Sequence, residues 1–63
     1  SAQEVEKCIE ACVTGFKVQH RKYGAGEIIS GDGRIAEILF AGEDMPRKIS
    51  LPIAFSAQIL TLK

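Results

Sequence analysis

The fold is decided by residues 16–40, which read FKVQHRKYGAGEIISGDGRIAEILF. Apolar and polar side chains alternate over residues 16–20, residues 27–30 form a second short run, and a third run over residues 35–40 would place Ala36, Ile38 and Phe40 on one face and Ile35, Glu37 and Leu39 on the other. Alternation with a period of two is typical of strands that bury one face. Residues 31–33, Gly-Asp-Gly, lie between the second and third runs and are predicted to form a hairpin turn, because Asp-Gly tolerates the positive φ that a tight turn requires. Three strands, two of them in a hairpin, are therefore predicted.

Two more strands are predicted downstream. A turn at residues 42–44 leads into a fourth strand over residues 47–51, and Pro52 stops its ladder because proline has no N–H to donate. Residues 53–55 are predicted as a tight helical turn, and residues 58–62 as a fifth strand. Five short strands predict a mainly β fold, a small five-stranded barrel that is closed or nearly closed.

An amphipathic helix is predicted in front of the barrel, over residues 2–13. Residues 1–4, Ser-Ala-Gln-Glu, have the form of a capping box, and Gly15 stands where a left-handed residue would end the helix. One face carries the apolar side chains Val5, Cys8, Ile9, Cys12 and Val13. A helix of about 12 residues is marginal alone, so we expect this face to pack on the barrel, on a preceding domain or on a second copy. The chain thus divides into a helical segment, residues 1–15, and a barrel, residues 16–63.

Length and charge narrow the functional class. The 63 residues make one small domain, 46% hydrophobic and 25% charged, with a net charge of zero. Residues 16–63 hold seven basic and five acidic side chains, an excess far below that of electrostatically driven nucleic-acid binders. No apolar run reaches the roughly 18 residues of a membrane helix, and the first residues are acidic where a signal peptide would be basic. The two cysteines are interpreted as free thiols, so we expect a cytoplasmic protein.

Residues 20–26, His-Arg-Lys-Tyr-Gly-Ala-Gly, hold the densest functional chemistry. Gly24 and Gly26 lack the third glycine of a phosphate-binding loop and precede a strand, so they are interpreted as a bend or bulge entering that strand. His20 has no second histidine near it, and a zinc site would need Cys8 and Cys12 to reach it from a different element and would still lack a fourth ligand. Both cysteines also lie beside glutamates that would raise a thiol pKa. We therefore predict no metal, no cofactor and no catalytic residues.

Two basic pairs, Arg21-Lys22 and Arg47-Lys48, would share a surface beside Tyr23 if the barrel closes. Tyr23 is the aromatic residue that we expect to be at least partly exposed. An aromatic ring flanked by cations suits an acidic protein patch or a nucleic-acid backbone, although basic pairs often only add solubility. The predicted partner-binding residues are His20, Arg21, Lys22, Tyr23, Arg47 and Lys48.

A longer pattern combines these residues: His20-x-x-Tyr23-Gly24-x-Gly26-x-Ile28, then Ile38-x-Phe40, Lys48-x-x-Leu51 and Ile59-x-x-Leu62. It resembles the Tudor-like barrel at the C-terminus of UvrD/PcrA-type bacterial DNA helicases, and residues 51–55 are more similar to related appended bacterial modules. The resemblance covers residues 16–63. It implies a Tudor-like (Src-homology-three-like) fold that has no catalytic activity and docks on RNA polymerase. Arg47 and Lys48 match, by position, basic residues implicated in that docking, although this chain is less basic and carries no helicase motor.

These observations lead to one main hypothesis and two alternatives. We expect a non-catalytic protein-interaction module, a C-terminal part of a larger bacterial nucleic-acid-processing protein, with a protein partner such as RNA polymerase. The first alternative is weak direct nucleic-acid binding by the same basic surface. The second is a structural or oligomerisation domain that forms a homodimer through the N-terminal helix.

Overall fold

The computed structural model describes residues 2–63, and its strands form one antiparallel sheet curled into a half-barrel. In chain order the elements are α1 Ala2–Ala11, β1 Lys17–His20, β2 Gly24–Gly31, β3 Ile35–Phe40, β4 Arg47–Ser50, α2 Leu51–Ser56 and β5 Leu60–Leu62. The strand order is β4-β3-β2-β1-β5. The predicted mainly β fold with one helix in front is confirmed, but the sheet stays open between β4 and β5.

The core lies on the inner face of the curled sheet. Val18, Ala36 and Ile38 are fully buried, and Ile28 and Phe40 are 1% exposed. These residues fall at alternate positions of β1, β2 and β3, as the period of a half-buried strand requires. The open side of the half-barrel is filled by buried side chains of α2 and β5: Leu51, Ala54, Phe55 and Leu60.

α1 packs on α2, so the helix and the barrel share one core. Ile9 is buried within that core, and half-buried Val5 and Cys8 pack against it. The helix ends at Ala11, two residues earlier than predicted, and Val13 is 60% exposed. The chain leaves the helix there because the Gly15 N–H donates a hydrogen bond of 2.8 Å to the carbonyl of Ile28, which directs the chain into β1. Val13 was therefore wrongly placed on the buried face.

The strand boundaries differ from the sequence predictions except in β3. β2 begins at Gly24 rather than residue 27, since its glycines pair with β1 in the register His20↔Gly24 and Val18↔Gly26. β4 ends at Ser50, and Pro52 lies in the first turn of α2, where its missing N–H costs no helical hydrogen bond. β5 is shorter than predicted because residue 58 takes a φ of 58° after α2.

The two glycines of β2 have different roles. Gly24 has a φ of 82°, which supports the predicted bend. Gly26 lies flat in the strand, and a Cβ there would stand 2.7 Å from both Ile38 Cγ2 and Phe40 Cδ1. The irregularity in the β2–β3 pairing falls instead between Ile28 and Ser30. Gly26 is therefore required for close packing rather than for a bulge.

Candidate functional site

His20 ends β1 and holds the turn that follows. Its side chain is 7% exposed, and its Nδ1 accepts hydrogen bonds from the backbone N–H groups of Lys22, at 3.0 Å, and Tyr23, at 3.1 Å. Because Nδ1 accepts, the neutral ring carries its proton on Nε2. Burial lowers the pKa of His20, and the charges of Lys22 and Arg47 lower it further. The neutral imidazole is therefore the form that stabilises the turn.

The turn holds the Tyr23 ring among two rings and a cation. The His20 ring stacks on it with centroids 4.5 Å apart, and the Phe40 ring lies 5.2 Å away at a tilt. The guanidinium carbon of Arg47 lies 4.1 Å from the Tyr23 ring centroid, within the range of a cation–π contact. Tyr23 is half-buried, in agreement with the expected partial exposure.

Glu43 fixes the guanidinium of Arg47. Arg47 Nε donates to Glu43 Oε1 at 2.9 Å, and Nη2 donates to Oε2 at 2.9 Å. The hydrogen bond to Arg47 lowers the pKa of Glu43, and the same bond raises the pKa of Arg47. A two-pronged contact of this kind restricts the orientation of the planar guanidinium. We call the five side chains His20, Tyr23, Phe40, Glu43 and Arg47 the Tyr23–Arg47 cluster.

The surroundings of the cluster are exposed and partly apolar. Residues 43–47 line an open hollow of about 430 Å³ beside Arg47. Met45, in that hollow, is 74% exposed, the most exposed of the large hydrophobic side chains described. Lys22 places its Nζ 5.6 Å from the Tyr23 ring centroid. The cluster therefore presents an arginine on an aromatic ring, a neighbouring ammonium group and an exposed thioether.

The predicted site residues are only partly brought together. His20, Lys22, Tyr23 and Arg47 lie at or beside the cluster. Because His20 is buried, it would influence a partner through the positions of Lys22 and Tyr23. Arg21 is exposed next to the cluster in sequence, and its backbone N–H donates to the Ile59 carbonyl at 2.8 Å.

Lys48 lies on the opposite face of the sheet from Arg47. β3 and β4 pair in the register Ile38↔Arg47 and Glu37↔Lys48. Directly opposed residues share a face, and successive residues alternate between faces. Arg47 thus shares the inner side with fully buried Ile38, whereas Lys48 shares the outer side with Glu37. The structure does not place Lys48 in one surface with Tyr23 and Arg47.

The predicted site did not include three residues of this region, Phe40, Glu43 and Met45. Glu43 lies in the turn predicted at residues 42–44, and nothing in the local sequence distinguishes it from its neighbour Asp44. The hydrogen bonds between Glu43 and Arg47 depend on how the turn at residues 42–46 brings Glu43 back over β4, which only the three-dimensional structure shows.

The cysteines offer little chemistry of their own. Cys8 and Cys12 are free thiols on α1 and just after it, and both are half-buried. Burial, and secondarily the neighbouring Cys8, raises the pKa of Cys12, which keeps its thiolate scarce. Within residues 2–63 no three His, Cys, Asp or Glu side chains are grouped so that they could hold a metal ion.

Neither helix of the described chain, α1 with ten residues or α2 with six, is long and apolar enough to cross a membrane.

Comparison of the chain with models of protein families, with curated proteins and with solved structures finds no match. The basis for a functional proposal is therefore the geometry of the Tyr23–Arg47 cluster.

Proposed function

We propose that this chain is a non-catalytic protein-interaction module that docks on a protein partner through the Tyr23–Arg47 cluster. The observation that carries the proposal is the position of the Arg47 guanidinium, 4.1 Å over the Tyr23 ring and held by both oxygens of Glu43. Arginine and tyrosine are among the residues that most often dominate the energy of protein interfaces.

The cluster is arranged before any partner arrives, which favours binding. Ordering a long side chain at an interface costs about 0.5–1.5 kcal/mol. The contacts of Arg47 with Glu43 and of Tyr23 with His20 hold both side chains in place in the free protein. The exposed Met45 adds apolar, adaptable surface at the edge. A partner would therefore contact Tyr23 and Arg47 in fixed positions, with the adaptable side chain of Met45 beside them.

The same contacts favour a protein partner over nucleic acid. A nucleic-acid backbone is bound mainly through uncompensated cations that replace its counterions. Here the charge of Arg47 is balanced by Glu43, and Lys48 lies on the other face of the sheet. The stacked ring of Tyr23 is also half-buried, so a base has limited access to it.

Catalysis is not supported by the candidate groups. The Nδ1 lone pair of His20 is used by two backbone N–H groups, so that nitrogen is not free to act as a base. The Cys12 thiol has a raised pKa rather than the lowered pKa of a nucleophile. Homodimerisation through α1 is also weakly supported, because Ile9 is already buried in the chain's own core.

The resemblance to helicase C-terminal domains makes bacterial RNA polymerase the first partner to test. Binding of the chain to purified core polymerase is measured by biolayer interferometry, together with the variants Arg47→Ala and Lys48→Ala. We expect Arg47→Ala to weaken binding about 10-fold or more, since interface anchors typically contribute about 2 kcal/mol. Lys48→Ala is the matched control, a neighbouring cation on the other face, and should change binding less than about 3-fold.

The possible results distinguish a wrong choice of partner from a wrong choice of docking surface. If the parent chain does not bind polymerase, that partner is excluded and the cluster is tested on other proteins. If the parent binds and Arg47→Ala binds equally well, the cluster is not the docking site. Heteronuclear NMR spectra of both variants establish that each is folded.

A further inference from the structure

A second open surface lies between α1 and β5. It is a groove of about 760 Å³, within the size range of binding sites in proteins. Its apolar lining comes from three elements, with Val5 and Cys8 from α1, Phe55 from α2, and Leu60 and Leu62 from β5. We call it the α1–β5 groove, and it shares no lining residue with the Tyr23–Arg47 cluster.

The outer edge of β5 borders this groove without a neighbouring strand. The Arg21 N–H donates to the Ile59 carbonyl at 2.8 Å, and the Lys63 N–H donates to the Lys17 carbonyl at 3.3 Å. In this antiparallel pair, the backbone N–H and C=O groups of residues 59, 61 and 63 therefore face β1. The backbone groups of Leu60 and Leu62 face the other way, toward the outer edge of β5. β5 is the last strand of the sheet, and within residues 2–63 no backbone partner is found for Leu60 or Leu62 on that side.

An unpaired strand edge beside an apolar groove is a ready template for an added strand. Backbone N–H and C=O groups require hydrogen-bond partners, which water supplies poorly at an apolar surface. Leu62 is 38% exposed and Leu60 only 1%, so the edge is accessible at its C-terminal end and increasingly covered toward α2. An incoming segment would therefore pair first at Leu62.

The charge around the groove selects the kind of segment. The charged residues that line it, Glu4 and Glu6, are both acidic. Glu6 lies 3.9 Å from Arg34, but both side chains are more than half exposed, and such a contact contributes little. An occupant with lysine or arginine near α1 would thus meet a complementary rim.

We propose that the α1–β5 groove binds an extended peptide segment that adds to the outer edge of β5, with apolar side chains at alternate positions and a basic residue beside α1. The alternate side chains contact Val5, Cys8 and Phe55, and the backbone pairs with Leu62. The basic residue contacts the glutamate rim. This site is independent of the docking function proposed for the Tyr23–Arg47 cluster.

The test uses the full chain and a synthetic probe. The probe is a peptide of about seven residues with blocked ends, in which valine and threonine alternate between terminal lysines. Amide signals are followed by NMR during titration. We expect shifts at Val5, Cys8, Leu60 and Leu62 and slower hydrogen exchange at Leu62, with the Tyr23 and Arg47 signals unchanged.

Two controls address the two parts of the proposal. A probe with glutamate ends should bind about 3-fold more weakly or worse. The variant Glu6→Lys leaves one acidic and one basic residue on the rim, so it should remove that difference between the two probes. A probe with proline at its centre cannot donate the edge hydrogen bond and should lose most of its affinity. Retained dispersion of the Glu6→Lys spectrum establishes that the variant is folded.

The proposal is overturned if no signal shifts at about 1 mM probe, or if the shifts map to the Tyr23–Arg47 cluster instead. Equal binding of the lysine and glutamate probes would remove the basic residue from the proposal. A mass that doubles with concentration, together with groove signals that shift without any probe, would show that a second copy occupies the site.

Discussion

Replacing Gly26 by alanine should destabilise the domain and disturb Tyr23 together with it. The new Cβ would stand 2.7 Å from Ile38 Cγ2 and from Phe40 Cδ1, and 2.9 Å from Phe40 Cε1. Carbon atoms pack at about 3.5–4.0 Å, so these contacts are about 1 Å too short. Ile38 is fully buried and Phe40 is 1% exposed, which leaves neither side chain free to move outward.

The expected cost follows from this overpacking. Adding a methyl group to a closely packed core typically costs about 1–3 kcal/mol. A chain of 63 residues is expected to be stable by about 3–9 kcal/mol, so this loss is a large fraction of the total. For a domain of this size the melting temperature should fall by about 5–20 °C. Because Phe40 lies 5.2 Å from the Tyr23 ring, its displacement should also change the Tyr23 ring signals.

Thermal unfolding followed by circular dichroism measures the effect, with Gly33→Ala as the matched control. Gly33 has a φ of 95° and nothing within 4 Å of an added Cβ, so that variant has backbone strain of about 1 kcal/mol but no clash. Adding Phe40→Leu to Gly26→Ala should recover part of the lost melting temperature, whereas adding it to Gly33→Ala should not. A melting temperature of Gly26→Ala within about 2 °C of the parent would refute the packing argument.

Three further predictions concern acid stability, the helix and nucleic acid. Because the pKa of His20 is lowered in the folded chain, the unfolded chain takes up the proton first, so the free energy of unfolding should fall as the pH drops below about 6.5. Urea unfolding at pH 7 and pH 5 measures this loss, which should be smaller in His20→Gln. Ile9→Ala should cost about 2–4 kcal/mol in urea unfolding, whereas Val13→Ala, at an exposed position, should cost less than about 0.5 kcal/mol, and equal losses would contradict the assignment of the buried face. Any binding to single-stranded DNA should be weak, and a steep loss of affinity between about 50 and 200 mM salt in fluorescence anisotropy would instead support the nucleic-acid alternative.

The fold could be predicted well where the sequence pattern has a single interpretation. In β3 the buried residues Ala36, Ile38 and Phe40 alternate with exposed or half-buried ones, and the predicted bounds, residues 35–40, agree with the structure. β2 was predicted too short because Gly24 and Gly26 carry no side chain, so the alternation that identifies a strand cannot be seen there. The end of α1 was missed because Val13 continues the helical spacing, although the backbone bond from Gly15 to Ile28 ends the helix earlier.

The candidate site was less predictable than the fold, since it depends on orientations that the sequence does not encode locally. His20 was selected for its chemistry, yet its function in the structure is to accept two backbone hydrogen bonds. Lys48 was grouped with Arg47 because they are adjacent in sequence. The alternation of a strand already implies that adjacent residues face opposite sides, so this separation was available from the predicted fourth strand.

The residues from His20 to Gly26 act together to position one side chain. His20 fixes the turn through its Nδ1, and Gly24, with a φ of 82°, lets the chain reverse into β2. Gly26 leaves the space in which Phe40 packs, and Phe40 in turn contacts the rings of His20 and Tyr23. His20, Gly24, Gly26 and Phe40 thus set the position of Tyr23 without being exposed contacts themselves. Substitutions at these positions should therefore weaken the proposed docking in proportion to how far they displace the Tyr23 ring, whereas Arg47→Ala should weaken it and leave that ring in place.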